Sequence, residues 1–239
     1  MDRMLYVAMS GASETMNAMT AVTNNLANVS TAGFRADLSA ARSLPVFGGE
    51  LPSRVYVAAE RPGFDTRPGP VQTTARSLDV AISGEGWLAV QAPDGSEAYT
   101  RSGSLRVSDT GLLVTASGDP LLGDGGPITV PDGALTIAPD GTVSLQATDQ
   151  VAVLGRLRLV NPDLATMTKG ADGLFRSTGQ AEPDASIRLI PGALESSNVN
   201  AAAELVAMID LARRYEAQVK LMQQTQENDE AATQVLRMG

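Results

Sequence analysis

The sequence predicts an α+β protein. Helices at its two ends pair as a coiled-coil-like domain, and a mainly antiparallel β domain is inserted between them. Three observations lead there. All thirteen prolines lie between residues 44 and 192. The regions before and after that stretch repeat apolar residues at helical spacing. The middle is broken at short intervals by Asp-Gly and related turn pairs.

The first element reads as a helix from the start to about residue 30. Leu5, Ala8, Ala12, Thr15, Met19, Val22, Leu26 and Val29 fall on one 3-4 seam. Such a seam is narrow, as in a coiled coil, and not broad like the face of a globular-core helix. Asn24, Asn25 and Asn28 lie beside it, in "NNLANVSTAGF". Their amides can bond another chain's backbone or a paired helix, or they mark a frayed helix end. Gly33 suits the left-handed position after a helix, with Phe34 folding back as its hydrophobic partner.

Residues 35–77 follow as an extended arm or linker. "ELPSRVYVAAERPGFDTRPGP" carries prolines and glycines that disfavour a packed helix. The β domain is expected over 78–192. "LDVAI" and "WLAVQ" flank "SGEG", which reads as a hairpin turn. Short runs such as "LLVTA", "PITV", "LTIA" and "VSLQ" then alternate with Asp94-Gly95, Asp109-Thr110-Gly111, Asp124-Gly125, Asp132-Gly133 and Asp140-Gly141. This is the pattern of an antiparallel meander or small barrel.

The last element spans 193–239. Ser196, Ser197 and Asn198 are N-cap candidates, with Asn200 close by and Glu204 in an early turn. Leu205, Met208, Ala212, Tyr215, Val219 and Met222 form the second seam, widened by Val206, Ile209 and Leu211. At 1.5 Å per residue the two helices reach roughly 40 Å and roughly 55 Å. Neither can bury its seam alone, so each packs on a nearby globular domain or on the other. In the latter case the chain must bring its ends back to one place.

Composition narrows the function. A net charge of −9 argues against holding a phosphate backbone. No run of about 18 apolar residues spans a membrane as a helix, and no secretory signal opens the chain. The absence of cysteine and histidine removes thiol nucleophiles, His-Cys zinc sites and imidazole-based triads. The Asp-Gly pairs lack calcium-loop spacing and are turn chemistry. No catalytic, metal or cofactor residues are expected; a carboxylate-based polysaccharide hydrolase and a secreted adhesin are the competing classes.

Three blocks of sequence resemble a known family. "NNLANVSTAGFRA" is similar to the N-terminal signature of the flagellar axial proteins, which form the rod and hook of the bacterial flagellum. "GALESSNVNAAAELVAMIDLARRYEAQVKLM" resembles their C-terminal signature, and "PGPVQTTARSLDVAISGEGWLAVQ", "YTRSGSLRV" and "GLLVTASGDPLLG" resemble their β domain. Chain length, Arg35 and Trp87 look most like the proximal-rod type; the distal rod is the near alternative.

The resemblance implies a structural subunit of the proximal rod, part of a drive shaft and of an export-channel wall. Its partners would be copies of itself and other rod proteins, with the flagellar type III export apparatus in transit. It implies neither nucleic acid, small-molecule substrate nor membrane insertion. The subunit would be exported without a cleaved signal and sit in the basal body, where the rod crosses the periplasmic space. Leu5, Ala12, Met19, Val22, Leu26, Leu205, Met208, Ala212, Tyr215, Val219 and Met222 would then serve helix packing and assembly. Asn24, Asn25, Asn28, Asn198 and Asn200 would supply polar contacts, and Gly33 with Phe34 would end the first helix.

Overall fold

A computed structural model describes residues 4–39, 41–45, 55–59, 63–131, 133–146, 151–179 and 181–238. The chain forms two compact units. One comprises residues 1–27, 37–64 and 200–239; the other comprises 28–36 and 65–199.

The first unit holds two long helices, α1 (Met4–Ala27) and α2 (Ala201–Met238). They pack on one another. Asn25 of α1 bonds Glu204 near the start of α2, and Thr15 bonds Gln218 further along it, so the helices run antiparallel. Small residues permit the approach: a Cβ on Gly11 would lie 3.0 Å from the Gln218 side-chain nitrogen.

Both ends of this pair differ from the sequence expectation. α1 stops at Ala27, and the Thr31 N–H then closes a turn onto the Asn28 carbonyl at 3.1 Å. The Thr31 hydroxyl also donates to the Asn28 side-chain oxygen, at 3.1 Å. Asn, Ser and Thr side chains compete with helical bonding in this way. Gly33 does have a positive φ of +69°, but it lies several residues past the helix and is no C-cap.

The N-cap of α2 is Asn200, whose side-chain oxygen accepts from the Ala202 and Ala203 N–H groups at 3.1 and 3.2 Å. The earlier candidates are otherwise engaged. The Ser197 hydroxyl accepts from Val199 N–H, and Asn198 serves the neighbourhood of residues 36 and 65–67.

The expected arm contains paired strands. Ala41–Pro45 pairs antiparallel with Val55–Ala59, and Asp37–Leu38 with Gly63–Phe64. The run "VYVAA" has the β-branched and aromatic character that suits a strand, and Pro45 falls at a strand end, where a missing donor is tolerated. Extended chain was legible here, but not its fold-back. Residues 46–54 and 60–62 of the expected arm lie outside the described residues.

The second unit is antiparallel throughout its described strands. A five-stranded sheet runs in the order Leu159–Val160, Trp87–Gln91, Glu97–Thr100, Phe175–Ser177, Met167–Lys169. Ala134–Ile137, Thr142–Gln146 and Val151–Arg156 form a three-stranded sheet. Two short ladders lie near the ends of the unit: Val80–Ser83 with Arg188–Pro191, and Val71–Thr73 with Ala193–Glu195.

The Asp94-Gly95 pair makes the expected hairpin between Trp87–Gln91 and Glu97–Thr100. Asp94 accepts from Ser96 N–H at 2.9 Å, while Gly95 takes φ +83°. "SGEG" is not a hairpin. Val80–Ser83 pairs with Arg188–Pro191 and Trp87–Gln91 with Glu97–Thr100, so this turn passes the chain from one ladder to another sheet. Turn residues show where a strand ends and leave its next partner undetermined. Leu88, Val90, Leu105, Leu113, Leu121 and Val143 are buried at the centre of the core, and Trp87 stacks on Phe175 with ring centroids 4.5 Å apart.

Candidate assembly surface

Asn24, Asn25 and Asn28 divide into three roles. Asn25 is buried. Its amide oxygen accepts from Asp37 N–H at 2.7 Å, and its amide nitrogen donates to the Asp37 carbonyl at 3.0 Å. The same nitrogen lies 3.2 Å from Glu204 Oε1 on α2. One side chain thus ties α1, α2 and the strand at Asp37, because an amide has a donor and an acceptor on the same rigid group. Asn24 is exposed and donates to the Asp37 carboxylate. Asn28 forms the turn described above.

The seam of α1 is partly realised as burial. Ala8, Ala12, Thr15 and Val22 are buried, Met19 and Leu26 half-buried, and Leu5 exposed. On α2, Met208, Ala212, Val219 and Met222 are half-buried, whereas Leu205 and Tyr215 are exposed. Polar residues fill several of the inward positions: Glu204, Gln218 and Thr225 are less exposed than the apolar residue that follows or precedes Glu204 and Thr225 by one or four. Hydrophobicity alone misses them. The 3-4 spacing of 204, 208, 211, 218, 222 and 225 was available as a signal.

Apolar side chains therefore remain on the surface of the helical unit. Leu205, Val206 and Ile209 are 48%, 60% and 54% exposed; Tyr6, Met9 and Met16 are 61%, 56% and 56%. Val206 and Ile209 are neighbours three apart on α2, as are Tyr6 and Met9 on α1. The helical unit also has a groove of about 350 Å³, lined by residues that include Gly11, Thr15, Ala18, Leu211, Arg214 and Gln218.

In the β unit, the segment after the α1 turn is held by charge. Arg35 Nη1 meets Glu195 Oε1 at 2.7 Å, and Arg101 Nη1 meets Glu195 Oε2 at 3.2 Å; all three side chains are buried. Burial lowers the Arg35 guanidinium, with Glu195 pulling it back up. Burial likewise brings Arg101 down to about 10 against the opposing charge of Glu195. Phe34 is buried under Lys169, whose Nζ sits 3.7 Å from the ring centroid.

Gly33 is required by close approach: a Cβ there would fall 2.3 Å from the Arg101 carbonyl carbon. Asn198 accepts from Ala36 N–H at 2.8 Å and donates to the carbonyls of Asp65 and Arg67, at 3.2 and 2.9 Å. The sequence reading passed over Glu195 and Arg101. In "ALE", Glu195 shares the inward face of Ala193 by strand alternation, which is the signal that could have found it.

Comparison with known proteins agrees with this layout. The flagella basal body rod protein model matches residues 5–35, the FlgE/F/G D1 domain of the flagellar hook protein matches 81–145, and the FlgEFG C-terminal model matches 190–235. The flagellar basal-body rod protein FlgF of Escherichia coli (strain K12) is 45% identical over 252 residues, covering 100% of both chains. The chain belongs to the FlgF family of flagellar basal-body rod proteins. FlgF of Salmonella typhimurium is equally similar, at 45% with 100% coverage of both. The FlgG rod protein of Buchnera aphidicola subsp. Acyrthosiphon pisum is 32% identical, over 90% of this chain and 93% of its own. The FlgF relatives thus match with higher identity and fuller coverage than this FlgG protein. The two terminal matches fall on α1 with the docked segment and on the last strand with α2.

Proposed function

We propose that this protein is a structural subunit of the proximal rod of the flagellar basal body. It polymerises with its own copies and with other rod proteins into the drive shaft that also walls the export channel. The observation that carries the reading is the exposed apolar set on the helical unit: Leu205, Val206 and Ile209 on α2, with Tyr6, Met9 and Met16 on α1. Leu205, Val206 and Ile209, within about one turn of α2, form an exposed apolar patch of the kind that marks a protein-protein contact. Membership of a family of basal-body rod proteins supports a contact within the rod.

In this reading α1 and α2 act as a coiled-coil-like pair whose remaining burial comes from neighbouring subunits, and the β unit faces outwards. Subunits joined by unlike surfaces build an open helix instead of a closed ring, as a shaft requires. Asn25 contributes inside the subunit; the seam residues that stay exposed, Leu5, Leu205 and Tyr215, contribute between subunits. The chain reaches the basal body through the flagellar export apparatus and works where the rod crosses the periplasm.

The test is the double substitution Leu205→Asp with Ile209→Asp, placed in the chromosome. It should abolish swimming and incorporation into purified basal bodies, while the purified subunit keeps the near-ultraviolet spectrum of its β unit. Normal swimming with stable incorporation would refute the assignment of this face to assembly.

A further inference from the structure

The two segments that lead to the helices are held in the β unit by different means. Ala193–Glu195 is a strand, paired in register with Val71–Thr73. Residues 33–36 belong to no strand. They are docked on the returning chain by a set of single contacts. Gly33 N–H donates to the Glu195 carbonyl at 2.7 Å, and Asn198 N–H donates to the Phe34 carbonyl at 3.3 Å. Lys169 Nζ donates to the Arg35 carbonyl at 2.8 Å, and Ala36 N–H donates to Asn198 Oδ1. Arg35 reaches Glu195 and the Arg67 carbonyl, both from Nη1, at 2.7 and 2.5 Å.

Glu195 is the centre of this arrangement. One carboxylate oxygen receives Arg35 and the Gly69 N–H at 3.1 Å; the other receives Arg101. Arg101 is fixed independently of the docked segment, since its Nη2 donates to the Gly84 carbonyl at 2.7 Å and its guanidinium lies 5.5 Å from the centroid of Trp87. Two guanidinium groups share one carboxylate, and Arg35 Nε, Arg35 Nη2 and Arg101 Nε have no acceptor among the described residues. As a source of stability this is poor design: buried ion pairs seldom beat an apolar contact of the same size. As a source of direction it is effective. A fork of donors on a preset carboxylate accepts one orientation of the incoming chain, which an apolar contact would not enforce.

We infer that Arg101 and Glu195 form a preset receptor for Arg35, and that this triad, not the helix pair, locks the N-terminal segment onto the β unit. Every residue of the lock lies within 28–36 and 65–199, so none is on α1 or α2. The lock therefore operates whether or not the helices are formed. It sets the point from which α1 departs, and it turns helix pairing into a short-range event within one chain. The assignment does not rest on the rod reading.

Double electron-electron resonance on the full chain tests it. The chain has no cysteine, so Ser30→Cys and Gln72→Cys, both at exposed positions of the β unit, accept the only two spin labels. Measurements use dilute monomer. The expected result is one narrow distance distribution, retained when Leu26→Asp disrupts helix pairing. Glu195→Gln should broaden the distribution about twofold or more, as for an unclosed loop.

Should Glu195→Gln fail to fold, Arg35→Met decides. It leaves the Arg101–Glu195 pair intact, so the β unit should keep its near-ultraviolet spectrum while the distribution broadens to the same extent. A narrow distribution in Arg35→Met, or broadening by Leu26→Asp alone, would overturn the inference.

Discussion

The β unit and the helical unit of this protein bury different things. In the β unit, Val90, Leu105, Leu113, Leu121 and Val143 are fully inaccessible and large aliphatic side chains fill the core. In the helical unit, the buried described side chains are small or polar: Ala8, Ala12, Thr15, Val22, Asn25 and Thr225. Several of its larger apolar groups, Tyr6, Met9, Met16, Leu205, Val206 and Ile209, are exposed, and others such as Met19, Leu26, Met208 and Met222 are only half-buried. The hydrophobic effect scales with apolar area removed from water. By that measure the β unit is complete within one chain, and the helical unit is not. The contrast separates a unit with a closed aliphatic core from one that leaves apolar side chains exposed, the surface that the proposed rod assembly would cover.

Substitutions can break or sharpen that contrast. The largest effect is expected in the β core, where Leu113→Ala should cost about 2–5 kcal/mol of unfolding free energy. Leu205→Ala on the exposed face of α2 should stay within about 0.5 kcal/mol in the isolated subunit. Urea titration followed by Trp87 fluorescence compares the two, and equal losses would erase the distinction.

Next comes the junction. Gly33→Ala combines a positive φ with a Cβ placed against the Arg101 carbonyl, so about 3 kcal/mol is expected in the same titration. A neutral outcome would show that residues 33–36 are not held as described.

A smaller loss, about 1–2 kcal/mol, should follow Asn25→Ala, which strips Asp37 N–H of its acceptor. It should appear in the far-ultraviolet helical signal and leave the β-unit transition in place. Hydrogen exchange sharpens the same point. In dilute monomer, residues 5–29 should exchange much faster than Leu113 or Leu121, and equal protection would contradict an unfinished helical unit.

The smallest effect concerns acid. The side-chain hydrogen bond from Arg176, at 2.7 Å, holds the Asp172 carboxyl below the usual carboxylate range. A carboxyl lowered by folding contributes stability that is present above its unfolded pKa of about 4 and is lost as pH falls through its folded value. Asp172→Asn should therefore be slightly less stable than the parent at neutral pH, with the difference closing below about pH 4. A constant difference across that range would sink the assignment.

Much of this was legible along the chain. Helical spacing and the missing prolines gave α1 and α2, and Asp94-Gly95 gave a hairpin, because both are local properties of a few consecutive residues. "SGEG" shows the boundary of such reading: its glycines permit a turn, but the partner of Val80–Ser83 is Arg188–Pro191, far along the sequence. The seam of α2 shows another. Gln218 meets the Thr15 hydroxyl of α1, and Thr225 is buried with its hydroxyl satisfied by the Leu221 carbonyl of its own helix; hydrophobicity reports neither.

By itself the sequence determined the element types, the net charge that argues against a phosphate backbone, and the family motifs at both ends. Only the tertiary structure decided that Asn198 leaves the capping of α2 to Asn200, that Ala41–Pro45 pairs with Val55–Ala59, and that Glu195 gathers Arg35 and Arg101. The physical reason is range. Propensity and periodicity act over one or two turns of chain, whereas a buried carboxylate finds its partners by their position in space.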